Sequence, residues 1–165
     1  MTVYQDFGPE EQRLLLASLE AAAVVISASS PGRKEETTSE GFAAASFVLD
    51  NRADYVGNTL VSSVILALEE RLRSGERFPD YVEVASVPGA RESSLGILRS
   101  VVELLDATAT AEEAAGYKDW LSRIASAAAT AGREDQGFLG RGGVQVNDAE
   151  RAALQEIAAV LGIET

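Results

Sequence analysis

The apolar positions of this chain recur at helical rather than alternating spacing, which predicts an all-α fold. Across 10–27, Leu15, Leu19, Ala22 and Ile26 form one stripe, and Pro9 before them suits a first helical turn, where its missing N–H costs nothing. Ser30, Pro31 and Gly32 stop that helix. Thr37 and Glu40 have capping-box spacing and predict a second helix to about Asp50, with Phe42, Ala45, Phe47 and Val48 as its apolar surface. A third helix carries Val61, Val64, Ile65, Leu68 and Leu72 and ends near Gly75; a fourth carries Leu98, Val101, Val102 and Leu105. Thr110 with Glu113 caps a fifth, which presents Tyr117, Leu121, Ile124 and Ala128 with Trp120 beside that face. The sixth has Asn147 at its cap and Glu150 at the third helical position. Its stripe is Leu154, Ile157, Ala158 and Leu161, and Gly162 is its stop.

Between Pro79 and Pro88, Tyr81-Val82-Glu83-Val84 alternates like a strand. A lone strand would leave its backbone hydrogen bonds unmet, so 77–91 reads as an extended connection or a short irregular helix. Three alanine runs, Ala21–Ala23, Ala43–Ala45 and Ala127–Ala129, let helix axes approach closely and are assigned to the core rather than to a ligand cavity.

The two ends of the chain echo one another. Small residues over Ile26–Ser30 lead through a polar loop to a restart at Thr37–Glu40, and Ile124–Ala129 leads through Gly132–Gly143 to a restart at Asn147–Glu150. The expected architecture is a duplicated helical bundle of about six or seven helices, in one domain over 1–165, with pseudo-repeats at about 10–50 and 111–162.

With 165 residues, 46% of them hydrophobic, the chain can bury a core without disulfide or metal. It contains neither cysteine nor histidine. That excludes thiol nucleophiles, thiolate or imidazole metal sites, Ser-His-Asp triads and histidine bases. The remaining carboxylates, hydroxyls, Lys and Arg form no pattern that names a reaction, so no catalytic residue is assigned. The adjacent acids Glu35-Glu36 and Glu112-Glu113 fall near helix starts, where the macrodipole favours them. Glu69 with Arg73, and Asp119 with Arg123, are spaced as helix-face ion pairs.

A formal charge of −12 argues against nucleic acid and anionic membranes as partners. The Met1–Glu10 start has no basic cluster, and no uncharged apolar stretch reaches the ~18 residues of a spanning helix. No membrane insertion is expected, and the cytoplasm is the expected location.

The stretch Gly143-Val144-Gln145-Val146-Asn147-Asp148-Ala149-Glu150, with Ala153, Glu156-Ile157-Ala158 and Leu161-Gly162, resembles the second repeat of TerB-like helical proteins of the tellurite-resistance group. Ile124-Ala125 and Ala127–Ala129 resemble the helix before that family's acidic loop. The resemblance implies an all-helical duplicated fold, a link to stress responses and divalent-cation binding, with no catalytic reaction. Where the family's loops carry Asp-Gly, this chain reads Gly142-Gly143.

The metal candidates are Asp135, Asp148 and Glu150, whose oxygens suit only a hard ion, calcium or magnesium, held weakly. An EF-hand begun at Asp135 fails, because its third position is Gly137 and its twelfth is Val146. Asp148 and Glu150 read first as first-turn acids that complement a helix dipole. Gly137, Gly140, Gly142 and Gly143 make no phosphate loop, since no strand precedes them and no Gly-Lys-Ser/Thr follows. The expectation is a non-catalytic module that binds a protein partner and needs no cofactor. The alternative is a cation or small-molecule site at the loop before the last helix.

Overall fold

Gly8 and Pro9 start the first long helix. The Gly8 N–H donates to Glu11 Oε2 at 2.7 Å, while Gln12 Nε2 holds the carbonyls of Tyr4 and Phe7 at 3.1 and 3.0 Å. The computed structural model describes residues 1–29, 44–75, 87–134 and 148–164. Over these the chain forms a 3-10 turn at Tyr4–Asp6, α1 at Pro9–Ser27, the helical stretch 44–50 (α2) and a 3-10 turn at Arg52–Tyr55. Then follow α3 at Thr59–Ser74, α4 at Val87–Thr108, α5 at Ala111–Glu134 and α6 at Asp148–Leu161. No strand occurs among the described residues, and the all-α expectation holds.

Helix α1 is the hub. It packs most extensively against α4 and α5, and also meets α3 and α6. Leu15–Leu19, Ala21–Ala23, Val25 and Ile26 are all buried, so the single stripe expected from Leu15, Leu19, Ala22 and Ile26 is too narrow. A helix apolar on nearly every side is one surrounded by others. The opposing surfaces are Val61, Val64 and Leu68 of α3, Leu98, Val101 and Leu105 of α4, Trp120 and Ile124 of α5, and Ile157 and Leu161 of α6.

The ends of α3 and α6 fall where glycine was expected to stop them. Gly75 and Gly162 adopt left-handed φ of 75° and 69°. After Gly162, the Ile163 N–H reaches back to the Ala158 carbonyl at 3.0 Å, closing the last turn of α6.

Several local expectations need correction. Helix α4 begins at Val87, so 87–91 belongs to it rather than to a connection. Pro88 is tolerated there because the first-turn N–H groups have no helical partner. Leu72, on the last turn of α3, is 45% exposed and does not continue the buried stripe of Val61, Val64, Ile65 and Leu68. Glu69 does not pair with Arg73. It accepts from Arg52 Nη1 at 2.7 Å across the Arg52–Tyr55 turn, while Arg73 pairs with Glu70. The Asp119–Arg123 pair forms as expected, at 2.8 Å. The proposed cap Asn147 and the Thr37–Glu40 box lie outside the described residues.

Trp120 is fully buried. Tyr117 meets it edge-on, with ring centroids 5.3 Å apart, and the Tyr117 hydroxyl donates to the Leu15 carbonyl at 3.0 Å. Contrary to expectation, Trp120 Nε1 reaches neither partner nor surface.

Among the described residues no helix is long and apolar enough to cross a membrane.

Candidate functional site

The residues between α2 and α3 carry the local logic of the site. Asn58 precedes an apolar-periodic run, the position at which a side-chain oxygen caps a helix. Its Oδ1 accepts from the Val61 N–H at 3.0 Å, and its Nδ2 donates to the Glu113 carbonyl at 3.1 Å, pinning the start of α3 to the start of α5. Just before it, Tyr55 closes the 3-10 turn, with its carbonyl taken by Ser62 Oγ at 2.8 Å and its ring 5.9 Å from that of Trp120.

Glu113 fixes a third segment. One carboxylate accepts the Thr2 N–H at 2.8 Å, the Thr2 hydroxyl at 3.1 Å, the Thr110 hydroxyl at 2.8 Å and the Thr110 N–H at 3.1 Å. The Thr110–Glu113 box was legible in the sequence; the Thr2 contacts were not. These bonds, the Thr2 N–H foremost and against the opposing effect of burial, hold the Glu113 carboxyl at a pKa of about 2. Tyr4 secures the same arm, its N–H donating to Ser63 Oγ at 2.8 Å.

These anchors bound a polar cleft of about 580 Å3, walled by Asp54, Tyr55 and Asn58 on one side and by Glu112, Asp119 and Arg123 of α5 on the other. The Tyr55 hydroxyl is the unusual group. It belongs to a residue only 8% exposed and has no hydrogen-bond partner. The Arg123 guanidinium lies beside it, near enough to act on its titration as a weak donor but outside the distance and angle of a formed hydrogen bond. Burial pushes its pKa up; Arg123 opposes this, while Asp119 and Asp54 add to it. Arg123 is itself raised, chiefly by Asp119.

No family model, curated protein or solved structure matches this chain. The site therefore rests on its own geometry.

Of the three metal candidates, two are placed among the described residues. Asp135 lies outside the described residues. Asp148 is exposed and accepts from Arg151 Nη1 at 3.2 Å, and Glu150 is buried on the first turn of α6. Among the described residues no group of three carboxylates is placed to hold a metal ion. Of the adjacent acids, Glu113 is spent on capping, Glu112 lines the cleft, and Glu35-Glu36 lies outside the described residues.

A second concavity, of about 280 Å3, lies between α1, α2, α3 and α5, against Leu19, Val24, Val48 and Ile124. Ala23, Ala44 and Ala45 border it, so these alanines leave space as well as letting helices approach.

Sequence reasoning missed Asp54, Tyr55 and Asn58. The signal available was the Gly57-Asn58-Thr59 sequence before an apolar run, which marks a capped helix start.

Proposed function

We propose that this chain is a non-catalytic, cytoplasmic partner-binding module related to TerB-like stress-response proteins, and that its partner docks in the cleft between Tyr55 and Arg123. The TerB-like relationship draws support from the Gly143–Gly162 motif, and the all-α fold is compatible with it. The observation that carries the docking reading is the Tyr55 hydroxyl. A buried donor without a partner costs about 1 to 3 kcal/mol, and here it borders a concavity that could admit an acceptor. The cleft walls are helix starts tied by Asn58 and Glu113, so the groups around it are held in place before a partner arrives.

The test is panning of a random peptide display library against the whole chain, with Gly57→Tyr as the comparison. Gly57 lines the cleft and a Cβ there meets nothing within 4 Å, so the larger side chain is expected to obstruct the cleft rather than strain the fold. Peptides enriched by the natural chain and lost with Gly57→Tyr are expected. Equal enrichment by both, or none by either, would rule out docking through this cleft.

A further inference from the structure

We infer that the cleft receives a basic segment of a partner protein, with a Lys or Arg side chain between Asp54 and Glu112 and a backbone carbonyl of that segment facing Tyr55 and Arg123. This rests on the partner-binding reading above and specifies its ligand.

The charges of the cleft are unevenly committed. Glu113 is saturated by Thr2 and Thr110, and Asp119 is paired with Arg123. Asp54 and Glu112 are both exposed on the cleft wall, and neither carboxylate has a hydrogen bond or salt bridge among the described residues, Asp54 feeling Arg123 only at longer range. Deeper in lie the donors: the Tyr55 hydroxyl, and the Arg123 head group, whose Nε alone is taken by Asp119. The Arg123 side chain is 57% exposed and can swing aside to admit an oxygen to Tyr55 Oη.

A ligand must therefore bring a cation to the rim and an acceptor to the interior. A simple anion meets the unpaired carboxylates. A bare metal ion meets the Arg123 cation, and among the described residues no three acids converge. A polyamine supplies cations but no acceptor. A peptide with Lys or Arg supplies both within two or three residues, and the net charge of −12 draws it in.

The experiment titrates the full chain with an acetylated, amidated octapeptide of alternating Lys and Gly in about 0.15 M salt, where charges beyond roughly 8 Å are largely screened. The signal is the emission of Trp120, the sole tryptophan, whose ring neighbours that of Tyr55. A saturable change is expected. Asp54→Asn with Glu112→Gln should weaken binding about five- to tenfold. Tyr55→Phe, which leaves the net charge unchanged, should weaken it about threefold. Glu70→Gln with Glu92→Gln removes as much charge at sites roughly 16 Å from Thr59 along α3 and roughly 24 Å from Thr108 along α4, and should change nothing.

Equal weakening by that distant pair means diffuse attraction and overturns the inference, as does unimpaired binding by Tyr55→Phe. Spermidine bound as tightly, with the same dependence on Tyr55, overturns it in favour of a polyamine. If panning yields cleft-dependent peptides without Lys or Arg and the octapeptide does not bind, this inference fails while partner binding stands; if neither gives a cleft-dependent ligand, both fail.

Discussion

The side chain of Asn58 fills the space that a Cβ on Gly116 would need: a methyl group there would lie 2.2 Å from Asn58 Nδ2. Gly116 is in the interior of α5, where glycine ordinarily costs about 0.5 to 1 kcal/mol relative to alanine. Its presence lets α3 begin directly against α5.

The first prediction is a reversal of sign. Gly116→Ala should destabilise the protein, because Asn58 must give up its bonds to Val61 and Glu113 to make room. Asn58→Ala alone should cost about 1 kcal/mol as a lost cap. With Asn58→Ala already present, Gly116→Ala should instead stabilise by roughly 0.5 to 1 kcal/mol. Urea denaturation of the four proteins in a double-mutant cycle checks this, and additive effects would refute the contact.

The second concerns acid. Glu113 has its native pKa lowered from 4.5 to about 2, so its contribution is complete above the unfolded value and is lost as pH falls from 4.5 towards 2, where the unfolded chain takes up the proton first. Glu113→Gln should be less stable than the natural protein at pH 7, and the difference should shrink across that window. Urea midpoints measured at pH 7, 4.5 and 2.5 test it; a constant difference would show that the hydrogen bonds of Thr2 and Thr110 do not distinguish carboxylate from carboxyl.

Tyr55→Phe should leave stability unchanged or raise it by up to about 1 kcal/mol, since it removes a buried hydroxyl that has no partner and keeps the ring against Trp120. Thermal denaturation decides this. A marked loss of stability would mean that the hydroxyl serves the fold.

Trp120 should emit at short wavelength and resist acrylamide quenching, as a fully buried indole with no hydrogen bond at Nε1. Emission like that of free indole in water would contradict its place at the centre of the α5 face.

In α6, Ile157→Ala should cost about 2 to 5 kcal/mol, and Leu154→Ala clearly less. Ile157 is 1% exposed, whereas Leu154 is only partly covered at the edge of the same cluster. Equal costs would mean that α6 is rotated from its described orientation.

Periodicity and caps were legible in the chain itself, because they depend on neighbours three or four residues apart. Leu98, Val101 and Leu105 marked a helix face, Thr110 and Glu113 a capped start, and Gly75 and Gly162 two stops, each through contacts within a single turn. The tertiary structure decided whatever requires two distant segments to meet. It made α1 central and buried it almost all round, moved Glu69 to Arg52, and brought Thr2 to Glu113. It also brought Tyr55 and Arg123 together in the lining of one cleft. Helical spacing constrains a residue relative to its own turn. Which helix lies opposite depends on how all the apolar faces are buried together, and that is a property of the packed chain.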